Sequence, residues 1–387
     1  MSKSWKSSGR RPIVGIIGGG QLARMLIQAS ISLDVDVHVL ALEKDESLKS
    51  LAANYEVVAD YSPATLYQFS RKCDVVTFEH ELVDHQTVEE LENRGCNLLP
   101  GSTAFRVATN KETQRKELSQ IGIPVPLHLI CHSFSEIEGF SRAIPPPFVL
   151  KASRYGYDGR GVIFVDSLDQ LKQVLGDGPF TTSYVMEPHL EIRSEFAIVT
   201  VTSLAGEVST YPALQTTQKD GICVEVSTDL DVSEEILNSA KDTAIKIAQH
   251  TKSVGVQAVE FFLTTKDELL VNELAPRVHN SAHLSIEACI TSQFENHLRA
   301  ILALPIGSTS LLSHAVMVNL IGPSEDKKWQ IDRNSLLADP TVKAHLYGKT
   351  IKPKRKVGHV TALDSRPEQA RKAAWEAARN AFVEVER

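Results

Sequence analysis

Residues 256–273 constrain this chain more than any other stretch. Val256-Gln-Ala-Val-Glu-Phe-Phe-Leu263 is β-branched and aromatic, Thr264-Thr-Lys-Asp-Glu268 is polar, and Leu269-Leu-Val-Asn-Glu273 is mostly apolar again. Two apolar runs around a short polar one predict a β-hairpin. A turn centred on Lys266-Asp267 sets Glu260 directly opposite Glu273, with Cβ atoms ~5 Å apart. Like charges so placed destabilise a sheet, and a cation between them removes that cost. Carboxylate oxygens suit Mg²⁺, a hard ion that takes one or two carboxylates together with substrate phosphates. Two exposed glutamates on a solvated hairpin are the plainer reading. Ala275-Pro-Arg-Val-His-Asn280 weighs against it, because a guanidinium, an imidazole and an amide follow immediately.

The N-terminal third alternates strands and helices. Ile13–Ile17 is a buried-type strand, Gly18-Gly-Gly20 turns the chain, and Gln21–Ser30 is a helix with Leu22, Met25, Leu26 and Ala29 on one face. Strands are expected at 35–40, 57–58, 75–78 and 96–99, with a helix over 84–94 ending at Gly95. This order implies a doubly wound α/β sheet. An amphipathic helix over 110–121 is capped by Gly122, and residues 142–147 form a proline-rich loop. From Phe148 the pattern becomes α+β, with helices over 168–175, 233–251 and 283–302. A strand over 315–321 and a helix from about Pro367 belong to a small C-terminal unit. The expected division is 1–109, 110–304 and 305–387.

Composition narrows the function. The 387 residues are 42% hydrophobic and 23% charged, which fits several packed domains. A net charge of −7 argues against a general nucleic-acid or membrane-surface binder. The five cysteines are scattered without a C-x-x-C, as in a reduced, cytoplasmic protein. No apolar run is long enough for a transmembrane helix, and the basic N-terminus lacks the apolar stretch of a signal peptide.

Several motifs point to phosphate chemistry. Gly18-Gly-Gly20-Gln-Leu-Ala23, with Glu43 after the second strand, fits a dinucleotide fingerprint, although the same turn serves Rossmann-like domains that bind no NAD. Lys151 ends a strand before Tyr155-Gly-Tyr-Asp-Gly-Arg-Gly161. Such a glycine-rich loop can close over phosphates, and Arg160 can bind an oxyanion bidentately. The plainer alternative is a hairpin turn at Asp158-Gly159. Tyr184-Val-Met-Glu187-Pro188 could offer backbone groups to an adenine, with Glu187 or Glu195 near a ribose; alone it is an ordinary strand end. Five basic residues crowd the eight from Lys349 to Lys356, a patch suited to a phosphorylated substrate in an acidic protein. Gly348-Lys349-Thr350 lacks the upstream glycine of a Walker A loop, and neither G-x-S-x-G nor zinc-ligand spacing occurs.

Four segments in order, Gly156-Tyr-Asp-Gly-Arg-Gly161, Asn272-Glu-Leu-Ala-Pro-Arg-Val-His-Asn-Ser281, Ser292-Gln-Phe-Glu-Asn-His-Leu-Arg-Ala300 and Arg355-Lys-Val-Gly-His359, resemble the N5-carboxyaminoimidazole ribonucleotide synthetases, ATP-grasp enzymes of purine synthesis. The resemblance runs from about Ile13 to His359. It implies a Rossmann-like N-domain, a central ATP-grasp domain and a small β-rich C-terminal domain. It implies ATP contacts at Lys111, Lys151, Gly156, Tyr157, Asp158, Gly159, Arg160, Gly161, Glu187, Pro188, His189, Leu190, Glu195, Gln218, Asn272 and Glu273. It implies Mg²⁺, or Mn²⁺ in its place, on Glu260 and Glu273. It further implies bicarbonate at Arg277, a catalytic part for Tyr157, Arg160 and His279, and 5-aminoimidazole ribonucleotide at Glu79, Tyr157, Arg160, Lys349 and Arg355. A homodimer and a functional link to carboxyaminoimidazole ribonucleotide mutase are implied as well. Lys111 stands where some relatives have arginine, Gln218 where some have histidine, and the helix after residue 366 aligns poorly. Sister ATP-grasp ligases, formate-dependent or a biotin carboxylase, and, more distantly, an NAD dehydrogenase remain the alternatives among enzymes, and a nucleotide-binding regulator the alternative outside them.

Overall fold

Ile13–Ile17 and Val75–Phe78 lie side by side and parallel, with Asp36–Ala41 and then Asn54–Val57 on the other flank. The computed structural model describes residues 9–154, 161–176, 179–325 and 327–385. The first strand places every residue after Ile13 in the core, as a sheet covered on both faces requires. The helix Gln21–Ser32 buries Leu22, Met25 and Leu26 as expected, but also Ala23 and Ile27. The extra burial comes from a second neighbour: Phe294 and Leu298 of the helix Gln293–Ile301 join the same apolar core. Asp84 caps the helix His85–Asn93 by accepting the N–H of Gln86 at 2.8 Å.

The strand expected at 96–99 shrinks to one parallel bridge, Val76 to Leu98. Its backbone still exchanges two hydrogen bonds with Val76, the Asn97 carbonyl accepting from Val76 N–H and Leu99 N–H donating to the Val76 carbonyl, both 2.8 Å. Gly95 enters at φ +79 and Pro100 has no N–H, so the ladder stops there.

A four-stranded antiparallel sheet follows, in the order Leu129–Ser133, Pro179–Pro188, Phe148–Ala152, Val162–Val165. The larger sheet runs Leu269–Ala275, Gly255–Thr264, Ile192–Thr202, Leu214–Lys219, Ile222–Ser227, His314–Ile321, Lys356–Asp364, Val342–Leu346. Its last three strands come from the C-terminal unit. They join where Glu225, Val226 and Ser227 pair with Val318, Met317 and Val316, so the central and C-terminal units share one sheet. An uncovered strand edge is a template for pairing, and this junction satisfies it.

The single helix expected over 283–302 is broken. A short 3₁₀ turn, Asn280–Ala282, and the short helix Ser285–Ala288 precede an extended stretch, and Gln293–Ile301 starts anew. Ser292 caps the new helix by accepting the N–H of Glu295 at 3.1 Å. The Ser292-x-x-Glu295 spacing is a capping-box signature that apolar periodicity alone overlooks.

Candidate functional site

The hairpin forms with Glu260 opposite Glu273, flanked by Val259–Leu274 and Ala258–Ala275. Nearer the turn the register slips by one residue, to Phe261–Val271 and Leu263–Leu269. The turn is therefore a three-residue loop, with Asp267 at φ +61 and Thr264 N–H bonding Glu268 carbonyl at 3.0 Å. Asn272 is the extra residue, and the bulge re-aims its side chain. Its Oδ1 accepts from Lys151 Nζ at 2.9 Å.

The two carboxylates differ in surroundings. Burial, then the negative charges of Glu273 and Glu195, push the Glu260 carboxyl up to about 7. Burial presses Glu273 upward too, but the Lys111 ammonium 2.9 Å away, together with Lys151 and His279, holds the carboxyl below its ordinary range. A carboxyl raised by neighbouring negative charge is one that a divalent cation would stabilise as carboxylate. The donor set, two glutamates on adjoining strands, fits a hard ion that draws its other ligands from phosphates.

Behind Lys151 lies a buried ion cluster. Lys151 Nζ is 2.8 Å from Glu187 Oε2, and Arg115 Nε donates to Glu187 Oε1 at 2.7 Å. Burial alone would raise Glu187, yet Arg115 and Lys151 bring its carboxyl down to about 2. Burial depresses Lys151 despite the attraction of Glu187. Arg115 is fully buried, and sequence reasoning missed it. The available signal was spacing: Lys111 and Arg115, four apart on the helix Lys111–Gln120, share a face.

The N-terminal unit contributes Glu79. Its Oε1 accepts the N–H of Gly20, and its Oε2 that of Ala23 at 3.0 Å, so this carboxylate occupies the N-terminus of the helix Gln21–Ser32. A Cβ at Gly20 would come within 2.7 Å of that oxygen, and Gly18, at φ +110, faces the same side chain. The glycines of the fingerprint are thus explained by the approach of Glu79, which fills the position a dinucleotide pyrophosphate would take. Lys349 reaches across from the C-terminal unit and donates to Gln21 Oε1.

Past the hairpin, Arg277 Nε lies 2.8 Å from Glu81 Oε1. His279 Nδ1 accepts the N–H of Ser281 at 3.3 Å, while its Nε2 stands 3.7 Å from Glu260 Oε1. Gln293 was not singled out from sequence. Its fully buried amide accepts the N–H of His279 at 2.8 Å and donates to the His279 carbonyl at 2.7 Å.

Lys111, Lys151, Glu187, Asn272, Glu273 and Glu260 therefore converge, with His279 beside them. Glu195 pairs with Phe262 across the sheet and is raised by burial, although the Lys151 charge acts against this. Pro188 ends its strand, His189 N–H bonds the Pro147 carbonyl at 3.0 Å, and Leu190 follows, half-buried. Gln218 stands exposed at the tip of the hairpin formed by Leu214–Lys219 and Ile222–Ser227. Arg355 is half-buried, its carbonyl bonded to Gly322 N–H at 2.9 Å. Gly161, at φ +79, bonds through its carbonyl to Ala152 N–H at 2.8 Å. Gly156, Tyr157, Asp158, Gly159 and Arg160 lie outside the described residues.

Three family models match in order: the ribonucleotide synthetase preATP-grasp domain over 12–109, the ATP-grasp domain over 116–294, and the phosphoribosylaminoimidazole carboxylase C-terminal domain over 315–373. The chain is 37% identical over 363 residues to N5-carboxyaminoimidazole ribonucleotide synthase of Mycobacterium tuberculosis, covering 92% of this chain and 84% of that one. The chain belongs to the N5-carboxyaminoimidazole ribonucleotide synthase family. The Bacillus subtilis member is 34% identical over 91% of each chain. The Thermotoga maritima synthetase structure superposes with a TM-score of 0.84 at 32% identity, covering 96% of this chain and 99% of that one. An Aspergillus clavatus synthase structure, in complex with ADP and 5-aminoimidazole ribonucleotide, gives 0.84 at 31% over 96% and 99%. The C-terminal match reaches residue 373, inside the helix Pro367–Arg379, so the family pattern extends beyond the His359 limit drawn from motifs. Among the described residues no helix is long and apolar enough to cross a membrane.

Proposed function

We propose that this chain is an ATP-grasp ligase that carboxylates 5-aminoimidazole ribonucleotide with bicarbonate. The observation that carries the reading is the convergence of Lys111, Lys151, Glu187 and Asn272 on the Glu260–Glu273 pair. ATP supplies the driving force. A bicarbonate oxygen attacks the γ-phosphorus, ADP leaves, and carboxyphosphate forms. The amine of the ribonucleotide then bonds to the carboxyl carbon, phosphate departs, and the amine loses a proton.

All reactants but the amine are anionic, so catalysis rests on positioning and charge neutralisation. Lys111 and Lys151 face the triphosphate, and Glu187 holds Lys151 in place. Gly156 to Gly161 cover the phosphates, with Pro188, His189, Leu190, Glu195 and Gln218 along the nucleoside. Glu260 and Glu273 would hold Mg²⁺ or Mn²⁺, which supplies Lewis-acid stabilisation of phosphate charge. Arg277 binds bicarbonate, and His279, its Nε2 3.7 Å from Glu260 Oε1, stands beside the carboxylate pair. Glu79, Tyr157, Arg160, Lys349 and Arg355 receive the ribonucleotide, the two basic side chains at its phosphate. The units 1–109, 110–304 and 305–387 together build this cleft. A cytoplasmic homodimer, passing its product to carboxyaminoimidazole ribonucleotide mutase, completes the reading.

The test is ADP release with 5-aminoimidazole ribonucleotide, with bicarbonate, with formate in its place, and with neither. Turnover that requires both the ribonucleotide and bicarbonate is the expected result. Equal turnover with formate would refute the assignment.

A further inference from the structure

Arg277 is held from two sides. Its Nε lies 2.8 Å from Glu81 Oε1, with the two side chains only 18% and 21% exposed. Its NH1 donates to the carbonyl of Val278 at 3.1 Å. Two residues on, both backbone groups of His279 are clamped by the buried Gln293 amide. Glu81 comes from another unit, in the loop after Val75–Phe78, two residues past Glu79. Glu79 itself is tied to Gly20 and Ala23, so the loop that presents Glu81 is anchored on a helix. A guanidinium between a fixed backbone and an anchored carboxylate has little freedom to reorient.

We propose that Glu81 is a positioning and specificity-determining residue for the anion that Arg277 binds. The proposal rests on reading Arg277 as the bicarbonate group. Glu81 would hold the guanidinium in place by charge before the anion arrives, which lowers the cost of ordering it. Its charge also changes what the site rewards. Beside Arg277 alone, a doubly charged anion gains more than a singly charged one. With the Glu81 carboxylate on the same guanidinium, the second charge of sulfate or hydrogen phosphate meets repulsion at close range. Bicarbonate carries one charge and is admitted. Inorganic phosphate, a product of the proposed reaction, is disfavoured by the same pair.

The test compares wild type, Glu81→Gln and Glu81→Ala in ADP release with 5-aminoimidazole ribonucleotide. Bicarbonate is varied at several sulfate concentrations. Glu81→Gln keeps the shape and removes the charge. The expected result is that sulfate becomes competitive with bicarbonate, and that the ratio of bicarbonate KM to sulfate Ki rises about tenfold, or 1.4 kcal/mol, in both variants. The ATP KM should stay within about twofold, well under that 1.4 kcal/mol. A merely structural role would move the KM values together and leave the ratio alone. An unchanged ratio in folded variants, with bicarbonate-dependent turnover intact in wild type, overturns the Glu81 proposal and spares the functional reading. Absence of bicarbonate dependence in wild type overturns both.

Discussion

Thr77 Oγ1 lies 2.7 Å from His297 Nε2, joining the N-terminal sheet to the helix Gln293–Ile301. The other ring nitrogen, Nδ1, accepts the N–H of Val256 at 3.0 Å, which assigns the proton to Nε2. Gly255, at φ +97, leaves room for the ring; a Cβ there would lie 2.8 Å from it. One buried imidazole thus ties the strand that precedes Glu79 to the strand that carries Glu260.

That imidazole should make stability depend on pH. Burial lowers His297 to about 4 from an ordinary value of 6.5. Between those values the unfolded chain binds a proton there and the folded one does not, so stability falls as pH drops from about 6.5 towards 4. The contribution is on the order of 3 kcal/mol when complete. Thermal melts of wild type and His297→Gln between pH 7.5 and 4.5 check this. Wild type should start higher and fall more steeply; parallel slopes would remove His297 from the account.

Arg115→Met should be costly. It deletes one partner of the buried Glu187 carboxylate and leaves only the Lys151 ammonium within ion-pair reach among the described contacts. Breaking such a pair costs about 3–5 kcal/mol. Arg115→Lys keeps the charge but loses the guanidinium geometry, so it should recover part of the loss. Chemical denaturation measures the stability change. A cost below about 1 kcal/mol for Arg115→Met would mean that the cluster is not maintained by this residue.

The elements legible in the sequence are those with local causes. A turn centred on Lys266-Asp267 placed Glu260 and Glu273 face to face, and Asp84 and Ser233 announced helix starts that the structure confirms. What escaped depends on distant partners. The bulge at Asn272 shifts the turn without disturbing the glutamates, since the slip lies between the turn and the pair. The burial of Arg115 follows from Glu187, contributed by a strand far along the chain. The junction of Ile222–Ser227 with His314–Ile321 joins strands whose pairing no periodicity encodes. The resemblance named Glu79 as a ribonucleotide contact, but its place on the helix N-terminus needed the fold.

Glu273→Gln should preserve the fold and abolish most turnover. The substitution keeps the side-chain size, removes one negative charge from the pair with Glu260, and weakens the contact to Lys111. Loss of a charged metal ligand should lower bicarbonate-dependent ADP release by roughly two orders of magnitude or more, and raise the Mg²⁺ concentration needed for half activity. Circular dichroism should be unchanged. Near wild-type turnover at ordinary Mg²⁺ in a folded variant would count against the metal site.

Lys349 and Arg355 are the residues to separate the two substrates. Lys349, from the C-terminal unit, bonds Gln21 at the start of the first helix of the N-terminal unit. If the two basic side chains serve the phosphate of the ribonucleotide, removing both deletes charge-assisted hydrogen bonds worth about 1.5–3 kcal/mol each. Lys349→Ala with Arg355→Ala should then raise the ribonucleotide KM by roughly a hundredfold or more, while the ATP KM changes little. Initial rates over a grid of both substrates give the two constants in one experiment. Equal increases in both would place the basic run outside the ribonucleotide site.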